Sequence, residues 1–492
     1  MNSAWVIVST LPALLSVAIR IVALFVVPVN RKPSSATAWL MLIFGLPYLG
    51  AILFLLLGSP KLSRRRRAQQ RTMDELLRKA VVDARQMPTL HELLDPAIPP
   101  RFAPLVRLNT NLGGLPPFAG NRVELLPDYT GAVDCIVETI ERAKRYVHVE
   151  YFEFADDATG GKVVEALLRA QKRGVQCRVL IDHIGNFFFN HALLKRLRSG
   201  GVAAHRMLPI RILSTEWLRF DLRNHRKIVV VDGEVGFTGS QNLIDRDYHK
   251  KGNVKKGLYY VELVARVSGP IVQQLNAAFI TDWYAETGVL LGPSTAPEID
   301  IVVSSQTPGN VLCQVLLSGP GFENDNNLKL FVALCYAAQH TITIANPYFV
   351  PDEALMEALT SAAQRGVNVR LIVSGVGDQF FVYHAQRSYY EALLAAGVQI
   401  YRYRSPVLLH AKHMSIDDDI AVIGSSNMDM RSFQLDLEVT LICYGNDVVA
   451  EMEMIFADYL RHARPVQLHE WRTRPLIAKL FDNLARLTSA LQ

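Results

Sequence analysis

One polar pattern occurs twice in this chain, with the same residue types and the same internal gaps. The first copy is His225-x-Lys227-x4-Asp232-x6-Gly239-Ser240-x-Asn242. The second copy is His410-x-Lys412-x4-Asp417-x6-Gly424-Ser425-x-Asn427. Six fixed residue types match by chance on the order of 10⁻⁸ times per starting position. The pair therefore indicates an internal duplication, in which each half supplies one His, one Lys and a Ser/Asn pair.

The segments that precede the two copies also repeat. In the first half, RYVHVEYFEF is followed by GGKVVEALLRAQKRG and VQCRVLID. In the second half, HTITIANPYF is followed by DEALMEALTSAAQRG and VNVRLIVS. Each half thus has the pattern strand, helix, strand, which is typical of a sheet covered by helices. We predict an α/β fold with two tandem units, 118–295 and 296–470, each a β-sheet flanked by helices.

Each copy of the motif is predicted to form a β-hairpin. In HRKIVVVDGEVGFTGS, two strand-like runs flank an Asp-Gly pair, which is a strong signal for a two-residue turn. Side chains at positions i and i+2 of a strand share a face, so the His and Lys of each copy should point into one pocket. Asp232 and Asp417 fall at the turns, where Asp is favoured for structural reasons. A catalytic role and a structural role are both open for these two residues.

Two His, two Lys and two Ser/Asn pairs at one point suit the chemistry of a phosphodiester. The ammonium groups would neutralise the nonbridging oxygens, and the hydroxyl and amide donors would complete the cradle. One imidazole can form a phosphohistidine while the other acts as general acid and then base. This division of roles requires one neutral and one protonated His, with separated pKa values. The candidate residues are His225, Lys227, Asp232, Ser240, Asn242, His410, Lys412, Asp417, Ser425 and Asn427.

Other polar and aromatic residues near the motifs are assigned structural roles. His249 and His413 break the repeat and are interpreted as local polar residues. The pairs 151–152 and 348–349 follow equivalent strands and are interpreted as core. No HExxH, CxxC or acidic cluster has convincing metal spacing, so we predict neither metal nor cofactor. The five Cys are widely spaced and read as buried thiols in a reducing compartment.

Two long apolar segments precede the repeated region. Residues 5–29 and 37–58 are each long enough to cross a bilayer core of about 30 Å. The second segment has no charged residue, and the first has only Arg20, which we expect to snorkel or to meet a partner. We therefore predict a membrane hairpin of two transmembrane helices within residues 1–60.

The charge distribution gives the orientation of the predicted spans. Two basic residues lie between the spans, whereas six follow the second span within 61–71. The positive-inside rule then places both termini and the rest of the chain in the cytoplasm. The tract 64–67 is expected to attract anionic headgroups, to act as a stop-transfer signal, or both. Outside residues 1–71 the chain has 43 basic and 46 acidic residues, a poor footprint for nucleic-acid binding.

The remaining segments are a linker and a tail. Residues 61–117 are predicted to be a basic and Pro-rich linker with a short helix near 72–86. Residues 471–492 are predicted to form an amphipathic helix, either packed in the core or a dimer interface, or lying on a membrane. Its apolar stripe consists of Ile477, Leu480, Phe481, Leu484, Leu487 and Leu491.

The paired motifs resemble the HKD motifs of the phospholipase D superfamily. RKPSSATAWLMLIFGLPYLG and GSSNMDMRSFQLDLE resemble bacterial cardiolipin synthases specifically, and the resemblance covers nearly the whole chain. It implies that two phosphatidylglycerol molecules give cardiolipin and glycerol through a phosphatidyl-histidine, at the cytoplasmic side of the bacterial inner membrane. It also implies His225 as nucleophile and His410 as general acid/base, although the near symmetry of the motifs leaves the reverse open.

The family also places an orienting carboxylate behind each His. Glu438 in LDLEVTL fits the second site, and Glu262 in YYVELVARV is its counterpart in the first. The alternative is that both are strand carboxylates that face solvent. Rival functions are a membrane-bound phospholipase D that transfers the phosphatidyl group to water, a nuclease of the same superfamily, and a non-enzymatic membrane scaffold. Intact motifs argue against the scaffold, and the membrane hairpin and acidic body argue against the nuclease.

Overall fold

The chain forms a mixed α/β fold, seen here in a computed structural model. The structure describes residues 2–29, 31–58, 61–86, 93–185, 187, 190–210, 219, 221–291, 307–322 and 325–489. The helices are α1 (Asn2–Val26), α2 (Pro33–Gly45), α3 (Pro47–Leu57), α4 (Arg64–Arg85), α5 (Ala103–Gly113), α6 (Tyr129–Glu141), α7 (Gly160–Lys172), α8 (Asn190–Ser199), α9 (Lys251–Lys256), α10 (Val272–Thr287), α11 (Asn326–Ala337), α12 (Glu353–Gln364), α13 (Phe380–Ala395), α14 (Met430–Gln434), α15 (Asn446–Arg461), α16 (Leu468–Arg472) and α17 (Leu476–Arg486). 

The strands are short and alternate with the helices in most of the body. They are β1 (Phe118–Leu126), β2 (Tyr146–Tyr151), β3 (Gln176–Asp182), β4 (Ala203–Met207), β5 (Arg223–Asn224), β6 (Ile228–Val231), β7 (Val235–Gly239), β8 (Tyr259–Val261), β9 (Val264–Ser268), β10 (Val311–Ser318), β11 (Thr341–Ala345), β12 (Phe349–Val350), β13 (Asn368–Ser374), β14 (Gln399–Tyr403), β15 (Val407–Leu409), β16 (His413–Ile416), β17 (Ile420–Gly424), β18 (Met428–Asp429), β19 (Asp436–Tyr444) and β20 (Ala463–Pro465).

A single large sheet runs through both halves of the body. Its strand order is β20-β14-β13-β11-β16-β17-β19-β10-β1-β9-β7-β6-β2-β3-β4, and β5 pairs with β19. Outward from the central β1–β10 pair, the order β9-β7-β6-β2-β3-β4 repeats as β19-β17-β16-β11-β13-β14, so the duplication is visible in the topology. The sheets predicted for the two units are joined into one, because β1 and β10 pair antiparallel and leave no free edge between the halves.

Amphipathic helices cover the sheet, as the repeated pattern predicts. In α7 the buried side chains recur at helical spacing and pack in the core of the first half. In α12 the equivalent residues pack in the core of the second half. A further core contains strands from both halves and the buried helix α10. The predicted unit boundary at 295/296 lies outside the described residues.

Both predicted motif hairpins are present. β6 pairs antiparallel with β7, and β16 pairs antiparallel with β17. The turn residues Asp232 and Asp417 have positive φ angles of 54° and 49°, a conformation that Asp tolerates better than most residues. The motif His and Lys lie just before β6 and in the link between β15 and β16, rather than inside a strand.

The second apolar segment is not one helix, in contrast to the prediction. It forms α2 and α3, separated at Leu46, whose φ and ψ are −131° and 75°. Pro47 causes this break, because proline lacks the N–H for the helical bond and disfavours helical geometry in the residue before it. Among the residues whose placement is described, no helix combines the length and the apolarity needed to cross a bilayer.

The basic segment after the apolar region also differs from its predicted form. Helix α4 begins at Arg64, so it includes the basic tract and is longer than the predicted helix near 72–86. Arg66 in that tract forms a two-pronged pair with Glu286 of α10, with N–O distances of 2.6 and 2.7 Å. Part of the tract therefore docks on the body of the protein instead of being free for headgroups.

The C-terminal amphipathic helix α17 exposes its apolar stripe. Its other side packs along α13, where buried Asp482 pairs with His384, Arg387 and Arg474. Of the alternatives for this helix, packing of the stripe in the core is therefore contradicted, since the polar side makes the contact. The exposed fractions are Leu476 83%, Ile477 66%, Leu480 57%, Phe481 52%, Leu484 51% and Leu487 79%; Leu491 lies outside the described residues.

Candidate active site

Two short ladders between the halves position the motif histidines. β5 pairs in parallel with the start of β19, and β15 pairs in parallel with β8. The N–H of His225 continues the first ladder and donates to the carbonyl of Leu437 at 2.9 Å. The N–H of His410 donates to the carbonyl of Val261 at 2.8 Å in the second. Each motif His is thereby held against a strand of the opposite half.

This arrangement crosses the histidines and their carboxylates. Nδ1 of His225 lies 3.1 Å from Glu438, and Nδ1 of His410 lies 2.6 Å from Glu262. The sequence-based assignment, which paired each Glu with the His of its own half, is therefore wrong. The reason is that each ladder bond is made by the residue just before the Glu, so the carboxylate is delivered next to the opposite His. Both Glu side chains are completely buried and do not face solvent.

The motif lysines lie beside their own histidines. Nζ of Lys227 donates to the carbonyl of His225 at 2.7 Å, and Nζ of Lys412 donates to that of His410 at 2.7 Å. The positive charge of Lys412 lowers the pKa of His225, which lies in the other half. The positive charge of Lys227 likewise lowers the pKa of Lys412. These mutual effects mean that both halves contribute charge to one site. Each ammonium has further protons available for an anion.

Burial shifts the pKa values of all four groups in the same direction. It lowers the pKa of both His225 and His410 to about 4, with the neighbouring lysine adding to the effect and the Glu partner opposing it. It lowers the pKa of Lys227 to about 8 and of Lys412 to about 7. The prediction of one neutral and one protonated His therefore does not hold for the free protein, where both imidazoles are neutral at pH 7.

The orienting carboxylates remain ionised despite their burial. Burial raises the pKa of each, but the paired His and the nearby Lys outweigh this and keep the pKa of Glu262 and of Glu438 below the usual value. An ionised carboxylate at Nδ1 places the ring proton on that nitrogen. Nε2 of each neutral imidazole is then left as the basic atom, available for attack or for proton transfer.

The motif serines support the carboxylates instead of facing an open pocket. The hydroxyl of Ser425 donates to Glu438 and accepts from the N–H of Val439 at 3.0 Å. The hydroxyl of Ser240 accepts from the N–H of Leu263 at 3.0 Å and helps to keep the pKa of Glu262 low. Both serines are fully buried. These hydrogen bonds therefore do not favour the predicted direct contact of the two serines with an anion.

The two motif asparagines differ from each other. The amide of Asn242 donates to Glu153 at 2.9 Å, and burial raises the pKa of that carboxyl to about 7. Asn427 receives no such carboxylate partner in the described residues, and its buried amide oxygen makes no hydrogen bond there. Asn427 is thus the member of the Ser/Asn set with unused hydrogen-bonding capacity.

Asp232 and Asp417 lie at the far ends of their strands from the motif histidines. The carboxylate of Asp232 accepts the N–H groups of residues 144–146, and that of Asp417 accepts those of residues 339–341. Three backbone donors per carboxylate fix the start of β2 and of β11. The contacts favour the structural interpretation of these residues over the catalytic one.

Aromatic side chains surround the two histidines unequally. The ring of Phe152 meets His225 edge-on at 5.2 Å, whereas the rings of Tyr248, Tyr260 and Tyr348 lie 5.2–6.0 Å from His410. Phe152 and Tyr348 were predicted to be core residues, and that prediction did not include their contacts with His225 and His410. The different surroundings break the symmetry of the two motifs.

A buried acidic network lies behind the tyrosines. Asp378 accepts the hydroxyls of Tyr260 and Tyr348 at 2.7 Å each and pairs with Lys250 at 2.6 Å. Burial opposes ionisation, but Lys250 and the two hydroxyls lower the pKa of Asp378 to about 2. Sequence reasoning missed this network, because its members are scattered along the chain and carry no motif of their own.

One cluster among the described residues has the spacing of metal ligands, namely Asp157, Asp245 and His249. Both carboxylates accept backbone N–H groups at the start of α7, including that of Thr159. His413 is buried against the rings of Phe456 and Tyr459, and neither of its ring nitrogens makes a hydrogen bond within the described residues. These residues serve local structure, as expected for His249 and His413.

Comparison with known proteins identifies the family. Residues 136–283 and 332–460 match the family described as "Cardiolipin synthase, PLD-like domain", and residues 15–59 match "Phospholipase_D-nuclease N-terminal". The chain belongs to the cardiolipin synthase family of PLD-like proteins. It is 30% identical over 463 residues to cardiolipin synthase A of Salmonella arizonae, and 30% identical over 468 residues to that of Klebsiella pneumoniae, covering 94% of both chains in each case.

A solved structure supports the fold of this cardiolipin synthase family member. The phosphatidylserine synthase of Haemophilus influenzae Rd KW20 aligns with a TM-score of 0.60 and 16% identity. The alignment covers 78% of this chain and 99% of that one. At this identity the similarity supports a shared fold and nothing further. The body of this chain therefore has the same overall fold as that synthase.

The lysine pKa values predict a basic limb in the pH profile. Lys412 and Lys227 lose their charge as the pH rises through about 7 and about 8, so the free enzyme should lose affinity for anionic substrate. We expect kcat/KM to fall about tenfold or more between pH 7.5 and 9.5, since this ratio reports the free enzyme. In Lys412→Arg, whose guanidinium stays charged, one ionisation should disappear from that limb. A flat kcat/KM up to pH 9.5 would contradict the lowered pKa values.

Replacement of Asp417 separates its two possible roles. Asp417→Ala removes the acceptor of three backbone N–H groups and should lower the free energy of unfolding by about 1–3 kcal/mol. Asp417→Asn keeps one acceptor and tolerates the positive φ, so its loss should be smaller. In both variants kcat of the folded fraction should stay within about threefold of wild type. A thousandfold loss of kcat in stably folded Asp417→Asn would instead establish a catalytic role.

Proposed function

We propose that this protein is a cardiolipin synthase that transfers a phosphatidyl group from one phosphatidylglycerol to another, releasing glycerol. The observation that carries the proposal is the crossed pair of His–Glu contacts with a buried lysine beside each His. This arrangement provides two basic nitrogens and two cations for one phosphodiester. The relatives named cardiolipin synthase A support cardiolipin as the product.

In the first half-reaction, Nε2 of His225 attacks phosphorus of the donor lipid. A P–N bond forms, the P–O bond to the headgroup glycerol breaks, and the protonated imidazole of His410 gives its proton to the departing alkoxide. Lys227 and Lys412 balance the charge of the nonbridging oxygens. Glu438 holds the ring of His225 through Nδ1 and stabilises the charge that develops on it.

In the second half-reaction, a hydroxyl of the acceptor phosphatidylglycerol attacks the phosphatidyl-histidine. His410, now neutral, removes the proton of that hydroxyl, a new P–O bond forms and the P–N bond to His225 breaks. Glu262 holds His410 in place for both proton transfers. Three tyrosine rings surround His410, and we assign the acceptor lipid to this side.

Substrate charge accounts for how His410 becomes protonated. Its pKa of about 4 reflects burial and the charge of Lys412, which Glu262 offsets only in part. A bound phosphodiester places a negative charge next to the imidazoles, which favours the protonated form and raises the pKa. Substrate binding thus converts His410 into the general acid, so that this imidazole carries its extra proton only when a phosphodiester is bound.

The test feeds labelled phosphatidylglycerol in mixed micelles to the purified protein, with chelator present. We expect labelled cardiolipin and free glycerol from wild type, and a loss of at least a thousandfold in His225→Ala and in His410→Ala. His413→Gln, at a buried His outside the site, serves as the matched control and should keep most activity.

Other products would change the conclusion. Phosphatidic acid as the main product would make water the acceptor and the protein a phospholipase D. Activity that disappears with chelator, or that survives in both His variants, would contradict the phosphohistidine mechanism.

We further propose that the body rests on the bilayer through α17. Its apolar stripe is held outward because Asp482 on the opposite side is bound by His384 and Arg387 of α13 and by Arg474 just before α17. Exposed Phe380 and Phe381 begin the neighbouring helix α13, only two residues after Asp378 of the site network. Lys479 and Arg486 flank the stripe, which suits a surface of anionic lipid.

A fluorescent label on the stripe tests this contact. In full-length protein with Cys135→Ser, a label at Leu480→Cys should be quenched severalfold more strongly by spin-labelled lipids than one at exposed Lys172→Cys. The physical reason is that only the stripe would reach the acyl chains. Equal quenching at the two positions in proteoliposomes containing phosphatidylglycerol would contradict a lipid-bound helix, as would Leu480→Cys crosslinks between protein copies.

A further inference from the structure

We propose that residues 33–57 form a re-entrant hairpin, which enters and leaves the bilayer on the side of the catalytic body. The inference rests on the membrane association proposed above but not on the reaction. It replaces the expected second transmembrane helix with two helical arms that turn back inside the lipid. Contacts of α1, α2 and α3, at the turn and at the base, support this arrangement.

Contacts between the arms show that the segment folds back on itself. The rings of Trp39 in α2 and Phe54 in α3 meet edge-on with centroids 5.5 Å apart. In one continuous helix, these positions would be about 22 Å apart along the axis. Near the turn, a Cβ at Gly50 would lie 2.7 Å from Cα of Ile43, so only glycine permits the close approach of the arms.

The arms are too short to cross a bilayer. α2 has 13 residues and α3 has 11, which correspond to lengths of about 20 Å and 17 Å. The hydrocarbon core is about 30 Å thick. Both arms nevertheless expose apolar side chains along their length, as lipid contact requires. These exposed residues are Met41 72%, Phe44 43%, Leu46 54%, Leu49 51%, Ile52 55% and Leu55 77%.

Helix α1 supplies hydrogen-bond donors and acceptors at the turn. Arg20 donates from Nε and Nη2 to the carbonyl of Phe44, at 3.2 and 3.1 Å, where the break at Pro47 ends the helical bonding of α2. The hydroxyl of Tyr48 donates to the carbonyl of Pro12. Non-helical backbone at membrane depth is tolerated only where the protein satisfies it. This need explains an arginine whose insertion costs about 2.5–3.5 kcal/mol at a helix centre.

The base of the hairpin is attached to the body at its first arm. Nζ of Lys32 lies 3.3 Å from Asp325 and 3.0 Å from Asp352, which caps α12. Arg31 lies over the ring of Phe54, 4.7 Å from its centroid, so the two ends of the hairpin are close together. The start of α2 and the end of α3 therefore lie on the same side as the body.

This placement corrects the topology expected from sequence. Two full crossings would put Arg31 and Lys32 on the opposite side of the membrane from Lys61 and the tract 64–67. The contact of Lys32 with the body excludes that separation. With a re-entrant hairpin, all these basic residues lie on one side, which satisfies the positive-inside rule without placing any of them outside.

Labelling of engineered thiols in membranes tests the hairpin. Full-length protein with Cys135→Ser receives one new thiol, either Val29→Cys before the hairpin or Lys61→Cys after it; both positions are exposed. Intact spheroplasts and lysed membranes are then treated with a membrane-impermeant maleimide. Lys172→Cys on the body reports the side on which the body lies.

We expect the thiols at 29 and 61 to react on the same side as the thiol at 172, with at least a tenfold gain in labelling on lysis. Reaction of the thiol at 29 in intact spheroplasts while 61 stays protected would establish two full crossings and overturn the proposal. Recovery of the protein outside the membrane fraction would also overturn it. Because labelling does not depend on turnover, the result is distinguishable from failure of the proposed transferase reaction.

Discussion

The site depends on the pairing of each half's motif with a strand of the other half. The ladders β5–β19 and β15–β8 are only two and three residue pairs long, yet they place each motif imidazole beside a carboxylate of the other half. Neither half alone contains a complete His–Glu pair. The continuous sheet through β1 and β10 holds the two halves in the register that these ladders need.

Burial gives the assembled site its chemical character. Four basic groups lie together in surroundings that disfavour charge, and the lowered pKa values of both His and both Lys reflect this. Glu262 and Glu438 offset this positive charge, with further contributions from Glu153, Asp378, Asp429 and Asp436. A buried cluster of basic groups of this kind suits the binding of a phosphodiester anion. The same burial keeps the serines on the carboxylates, where they help the Glu side chains to remain ionised.

The elements proposed to contact the membrane lie next to the candidate site. The hairpin 33–57 is anchored beside Asp352 at the start of α12, and α17 packs along α13, whose first residues follow Asp378. Both elements therefore connect to loops of the second half that adjoin His410 and its tyrosines. A lipid held by this surface would present its phosphate to a site whose acceptor side is lined by aromatic rings.

Local pattern was enough to predict the duplication, the motif hairpins and the His and Lys pairs, because spacing and turn chemistry act within a few residues. Glu262 and Glu438 were predicted as partners of the histidines only through the family resemblance. The exchange of these two carboxylates between the halves, the support that Ser240 and Ser425 give them, and the Asp378 network were decided by tertiary structure. So was the reversal at Pro47, since hydropathy measures how apolar a segment is and not whether its two arms fold together. In each case the deciding contact joins residues far apart in sequence, and no periodicity along the chain records such a contact.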